Sequence, residues 1–192
     1  MPSNEHRRRH AKKYYLKYKQ VEEKIQTSLF PPKRYSSKTI KAHAKDSGIW
    51  ASSFYRHYKN LDTARATIEK RYITDFRKVI SKDRDAHTAF STLILFVLKN
   101  RHFFVAAIKR GDYYVLLAML GEIFPKISQT WPKMSKNTTE HIKELVKNQL
   151  LGELIYWGET TKFNSTYTDT CLNNLLRINA CLPDALRSII RD

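Results

Sequence analysis

Residues 39–60 read TIKAHAKDSGIWASSFYRHYKN, and this stretch decides how the rest of the chain is understood. Its spacing predicts two short helices broken by a tight turn at Asp46-Ser47-Gly48. Thr39 is a side-chain cap for the first helix, which turns Ile40, Ala42 and Ala44 inward. Gly48 stands where the chain reverses, a position that favours a residue able to take positive φ. The second helix sends Phe54 inward and leaves Ser52, Ser53, Tyr55, Arg56 and His57 largely outside. A polar, hydrogen-bonding outer face on a short second helix is the pattern of a helix-turn-helix built to touch a duplex.

Charge points the same way. The 192 residues carry 35 Lys plus Arg against 18 Asp plus Glu, a formal net charge of +17. Residues 1–80 hold 20 basic and 7 acidic side chains, whereas residues 81–192 hold 15 and 11. The polyanion-facing part is therefore the half that contains the helix-turn-helix. A membrane-lying helix needs a broad apolar face, which this turn-interrupted segment lacks.

The basic start, MPSNEHRRRHAKK, leads into no apolar run of signal-peptide type. The greasiest run, Phe90 to Leu98, is short of the ~20 residues that span a bilayer. A cytoplasmic, nucleoid-associated protein without membrane contact is expected. Cys171 and Cys181 fall in one predicted helix, where a ten-residue separation at ~1.5 Å per residue gives about 15 Å, too far for a disulfide. Buried thiols in a reducing compartment are the expectation.

Outward from the central stretch the apolar residues recur at three- and four-residue steps, so the fold is expected to be all-α. An opening helix is expected over about Arg9 to Phe30, with Tyr14, Tyr18, Val21, Ile25 and Leu29 on one stripe, stopped by Pro31-Pro32. A connecting helix over about 61–81 turns Ala64, Ile68, Tyr72, Phe76 and Val79 or Ile80 to one side. Asp85 can cap a helix carrying Phe90, Leu93, Ile94, Phe96 and Val97, and Arg101–Arg110 forms a shorter piece. Gly111-Asp112 opens a helix running from Tyr113 to Phe124, which Pro125 is expected to kink. A looser segment follows around Trp131–Asn137. Long helices are expected near 138–159 and 167–181, with Pro183 introducing a short terminal one.

The order of opening helix, helix-turn-helix, connecting helix and larger helical domain resembles the TetR family of bacterial transcriptional repressors. Leu29-Phe30, Tyr35, Thr39-Ile40, Ala44, Gly48-Ile49, Phe54-Tyr55, His57-Tyr58, Lys59-Asn60 and Asp62 carry the resemblance, with a weaker echo from Leu151-Gly152 to Trp157. Departures are Trp50 for a small polar residue, Ala51-Ser52 for a longer polar residue followed by glycine or proline, His43 for a core-facing aliphatic residue, and Arg34 for a glycine. The resemblance implies a DNA-binding domain over residues 1–62 and a helical effector-binding and dimerisation domain over residues 63–192.

Carried over position by position, the resemblance implies base contacts from Lys41, Ala51, Ser52, Tyr55 and Arg56. Arg56 and Lys41 match the O6 and N7 acceptors of guanine, while Ala51 and the Tyr55 ring suit thymine methyls. Trp50 suits the same methyls or a sugar. Thr39, Ser53, His57, Tyr58 and Lys59 suit phosphate, the alternative for Tyr55 and Tyr58 being packing between helices. Arg7, Arg8 and Arg9 form a basic arm suited to the minor groove.

The resemblance further implies a homodimer on a palindromic double-stranded operator, joined through the last two long helices. Leu145, Leu150, Leu154, Tyr156, Trp157, Leu172, Leu175, Leu176 and Ile178 have the apolar content for that seam, or for an intramolecular core. It also implies a cavity for a small apolar or aromatic effector. Phe90, Phe96, Phe103, Phe104, Tyr113, Tyr114, Leu117, Met119 and Trp131 supply the aromatic material, although aromatic stripes at helical spacing commonly form core. Asp83, Asp85 and His87 fit helix capping better than metal ligation, and the seven histidines show no metal spacing. No cofactor and no enzymatic activity are expected. A rival expectation is a DNA-bound protein whose second domain recruits a protein partner.

Overall fold

The computed structural model describes residues 39–46, 48, 50–83, 85–131 and 135–190. The expected opening helix, its Pro31-Pro32 stop and the Arg7–Arg9 arm lie outside the described residues. Every regular element among the described residues is helical. The chain divides into two compact units, one up to Ile68 and one from Glu69 onward. The division falls inside the connecting helix, somewhat later than the expected boundary after residue 62.

In the first unit, α1 (Ile40–Asp46) and α2 (Ala51–His57) pack against each other. Thr39 Oγ1 accepts from the Ala42 amide at 3.3 Å, satisfying one of the donors that a helix start leaves without an intrahelical partner. Gly48 sits between the helices at φ 62, and its amide closes the turn on the Lys45 carbonyl at 3.0 Å. Ala44 and Phe54 are fully buried, His43 is buried beside them in sequence, and Ile40 and Ala42 are only half-buried.

Helix α3 (Leu61–Ile80) is capped by Asn60, whose Oδ1 accepts from Thr63 N at 2.8 Å. Ala64, Ile68, Tyr72, Phe76 and Ile80 are all buried, a 4-4-4-4 stripe that a helix keeps on one side. Val79, the other candidate for the end of that stripe, is exposed.

The second unit comprises the later part of α3 with α4 (Ala86–Lys99), α5 (Arg101–Arg110), α6 (Tyr114–Ile127), α7 (Lys136–Thr161) and α8 (Thr168–Ile190). A short 3₁₀ turn, Ser128–Thr130, follows α6, and another, Ser165–Tyr167, precedes α8. Asp85 opens α4 with a reciprocal capping box, accepting from Thr88 N at 2.8 Å while Thr88 Oγ1 accepts from Asp85 N. Helices α4 and α5 meet at 88°, and Gly111 ends α5 in the left-handed conformation at φ 69. Helix α7 packs on α5, α6 and α8, and α4 packs on α6 and α8.

Pro125 lies in the last turn of α6, which runs on to Ile127 and into the 3₁₀ turn. The expectation at Pro183 is corrected. Pro183 introduces no separate helix, because α8 is continuous from Thr168 to Ile190. A proline removes its own N–H and crowds the carbonyl four residues back, and the helix on either side keeps its remaining bonds.

Among the described residues, no single helix is long and apolar enough to cross a membrane. The pair α4 and α5 has the combined apolar length but is bent too sharply to form one rod. Cys171 is buried and Cys181 exposed, so the expectation of buried thiols holds for the first alone.

Candidate functional site

The helix periodicity that buries Phe54 and Tyr58 from α2 and its end leaves the opposite face of α2 in solvent. Trp50 is 82% exposed, Tyr55 is 55% exposed, and Ser52 and Arg56 are exposed with them. Ala51 and His57 are half-buried, and Ser53 lies on α2. Lys41 and Lys45 stand one turn apart on α1, both exposed, and Lys59 is exposed just beyond α2. A surface hollow of about 470 Å³ is lined by Lys41, Ala44, Lys45, Gly48, Trp50 and Ala51. The structure thus gathers three of the base-contact candidates, Lys41, Trp50 and Ala51, around one depression.

Tyr58 is corrected. It was expected to face phosphate, yet it is only 4% exposed, with its ring 5.6 Å from Phe54 and 6.1 Å from His57. It takes the packing alternative: it closes α2 in extended backbone at φ −139, its amide donating to the Phe54 carbonyl at 2.9 Å while its ring lies against Phe54. Lys45 is the residue that the sequence reading missed. Its signal was its position four residues after Lys41, which puts the two ammonium groups on one side of α1.

The seam expected on α7 and α8 is corrected in part. Leu150, Leu154, Trp157 and Leu175 are fully buried within the single chain, and the Trp157 indole N–H donates to the Asn164 carbonyl at 3.1 Å. Ile142, Val146, Leu150, Leu154 and Trp157 step inward along α7, so they belong to its own core. The outward face carries Leu145 and Tyr156, two of the expected seam residues, at 54% and 53% exposure, with Gly152 between them. A Cβ on Gly152 would meet nothing within 4 Å. Leu172 and Leu176 on α8 are half-buried.

The expected pocket aromatics are distributed unevenly. Phe103 and Phe104 are buried and Phe96 half-buried, and they pack on one another and on α3. Tyr72 stacks on Phe103 at 4.1 Å, Phe76 meets Phe96 at 5.3 Å, and Phe103 meets Phe104 at 5.1 Å. Phe90 and Met119 are buried, Leu117 and Tyr113 are half-buried, and Tyr114 is exposed. Trp131 is half-buried with its ring 5.3 Å edge-on to Phe124.

Asp83, Asp85 and His87 do not assemble a ligand cluster. Asp85 is the α4 cap, and hydrogen bonds from Thr88 hold its carboxyl below the usual carboxylate range. Among the described residues, no group of three His, Cys, Asp or Glu side chains is arranged to hold a metal ion. Comparison of the chain with protein-family models, with curated proteins and with solved structures returns no significant match.

Proposed function

We propose that this chain is a DNA-binding transcriptional regulator, a TetR-like homodimer that grips a palindromic operator through α1, α2 and the turn at Gly48. The supporting observation is the two-sided character of α2. Phe54 and Tyr58 are buried, while Trp50, Ser52, Tyr55 and Arg56 stand in solvent beside the exposed Lys41. A helix with aromatic, hydroxyl and guanidinium groups on its outer face suits base edges and phosphates. The concentration of positive charge in residues 1–80 suits the polyanion. The outward face of α7, with Leu145, Gly152 and Tyr156, suits the twofold seam that would set two such helices on one side of a duplex.

In this reading an effector bound in the second unit releases the operator by favouring a different spacing of the two α2 helices, with α3 as the lever. A ~100-fold loss of DNA affinity corresponds to about 2.7 kcal/mol of coupling. The mutual packing of Tyr72, Phe96, Phe103 and Phe104 favours the rival reading of the second unit. There it would recruit a protein partner rather than sense a small molecule.

Footprinting against the DNA that flanks its own gene tests the proposal. Protection of a palindromic segment by the dimer is the expected outcome. A chain that stays monomeric and shows no preference among duplexes would overturn it.

A further inference from the structure

Trp50 is the most exposed of the large apolar side chains described, standing in extended backbone at φ −76 and ψ 143 immediately before α2. An indole left in water forgoes the burial of one of the largest apolar surfaces that any side chain offers. It also departs from the small polar residue that the resembled family carries at this position. The hollow beside it has Ala44 and Ala51 in its lining, Gly48 contributes no side chain to the rim, and Lys41 and Lys45 supply two cations from one side of α1. An occupant must therefore present a small apolar group to the ring and an anion to the lysines at the same time. The thymine edge of a duplex does both, since its C5 methyl is the apolar group that the major groove displays and a phosphate strand borders the groove.

We infer that Trp50, Ala51, Lys41 and Lys45 form a thymine-reading site, in which the indole receives the C5 methyl of one thymine and the two lysines hold the adjoining phosphate strand. The inference rests on the duplex-reading function proposed above. It adds to it the identity of one base and the participation of Lys45, and it moves Lys41 from the expected guanine contact to the phosphate strand. Trp50 is then a specificity-determining residue rather than a general anchor, because each of the other three bases lacks that methyl.

The test uses the full chain and duplexes that it enriches from a randomised pool. Each thymine of an enriched duplex is replaced in turn by uracil, which removes the C5 methyl and keeps every hydrogen-bonding group. Wild type is expected to lose about three- to fourfold in affinity at one thymine of each half-site, the factor that burial of a single methyl-sized group carries. Trp50→Ala should bind more weakly yet show no uracil penalty at that position, and Trp50→Phe should keep the penalty. Lys45→Ala should lower the slope of log affinity against log salt by about one per half-site, about two for the dimer.

A uracil penalty that survives in Trp50→Ala, or no uracil penalty in wild type, overturns the thymine site while leaving duplex recognition intact. Failure to enrich any duplex overturns both. Because the indole is already in solvent, its removal leaves the core untouched, and the far-ultraviolet circular dichroism of Trp50→Ala should match wild type.

Discussion

Phe163 occupies the space that a side chain at Gly158 would need. A Cβ on Gly158 would lie 2.7 Å from Phe163 Cζ and 2.9 Å from its Cε2, with Ile108 Cδ1 closer still. The ring reaches this place because the chain leaves α7 through two consecutive left-handed residues, Lys162 at φ 54 and Phe163 at φ 55. Neither is glycine, so each bears a steric cost of about 1–2 kcal/mol. Burial of the Phe163 ring, 4.9 Å from Trp157 and 6.3 Å from Phe104, offsets that cost and locks the α7–α8 connection onto the core.

Gly158→Ala should therefore destabilise the fold by about 1–3 kcal/mol, despite alanine's better helix propensity, because overpacking against a fixed ring outweighs it. Lys162→Gly should act in the opposite sense and stabilise by about 1 kcal/mol, since the exposed left-handed C-cap position suits glycine. Urea midpoints at unchanged m-values check both. A neutral or stabilising Gly158→Ala would contradict the close fit.

Arg56 is exposed on the outer face of α2, where a forked donor matches guanine. Arg56→Ala should relax discrimination at one operator position by about 1–3 kcal/mol while other positions keep theirs. Competition binding with single-position operator variants measures this. An equal loss on every duplex would assign Arg56 to phosphate instead.

The two faces of α7 should separate folding from association. Leu154→Ala empties a fully buried site and should cost about 2–5 kcal/mol of stability in any oligomeric state. If the proposed dimer forms through this face, Leu145→Glu or Tyr156→Glu should each convert it to monomer with helical content unchanged, although Tyr156→Glu also removes the ring contact with Tyr167 at 6.0 Å. Gly152→Ala favours the isolated helix by about 1 kcal/mol but inserts a methyl where a partner helix would approach. Sedimentation equilibrium distinguishes these, and dimers that persist through both glutamate substitutions would move the seam elsewhere.

Much of the fold was legible because single residues carried it. Gly48 marks a left-handed turn, Asp85 is the cap that its place before an apolar run suggests, and Ala64 to Ile80 keep one helical side. The candidate site was legible where exposure follows from α2's period, as at Tyr55 and Arg56. It failed at Tyr58, whose hydroxyl suits phosphate and whose ring suits core with equal ease.

The seam was misread in part, for a related reason. Helix α7 has apolar residues on both faces, so periodicity finds its stripes without saying which one the same chain covers. Phe163 had no signal at all. It sits in a polar segment, TTKFNSTY, and its burial depends on backbone conformations that a non-glycine sequence does not advertise.

The two cysteines should differ in chemistry. Burial, with the Glu153 carboxylate contributing, pushes the Cys171 thiol up to about 12, so it stays protonated and shielded near neutral pH. Cys181 is exposed. Iodoacetamide at about pH 8 should alkylate Cys181 in the native protein and reach Cys171 only after unfolding, as read by peptide mass spectrometry. Native labelling of Cys171 at a comparable rate would show that α8 opens locally.

Acid should weaken the second unit through Glu122. Its carboxylate on α6 pairs with Arg77 on α3, and the hydrogen bond from Arg77 holds it below the usual carboxylate range, against the opposing effect of partial burial. A carboxyl with a folded pKa below its unfolded value contributes stability that is fully present above the unfolded value. That contribution is lost as pH falls through the folded one. Asp85 is shifted in the same direction by its Thr88 hydrogen bonds and adds to the trend.

Thermal midpoints of wild type should accordingly drop between about pH 5 and pH 3, around the ordinary carboxylate range. Glu122→Gln should sit roughly 1–3 °C below wild type at neutral pH, a small gap because the pair is solvent-screened. That gap should close toward pH 3, where wild type has protonated the same group. Arg77→Ala should reproduce the same convergence. A gap constant across that range would show that Glu122 acts through packing rather than through its charge.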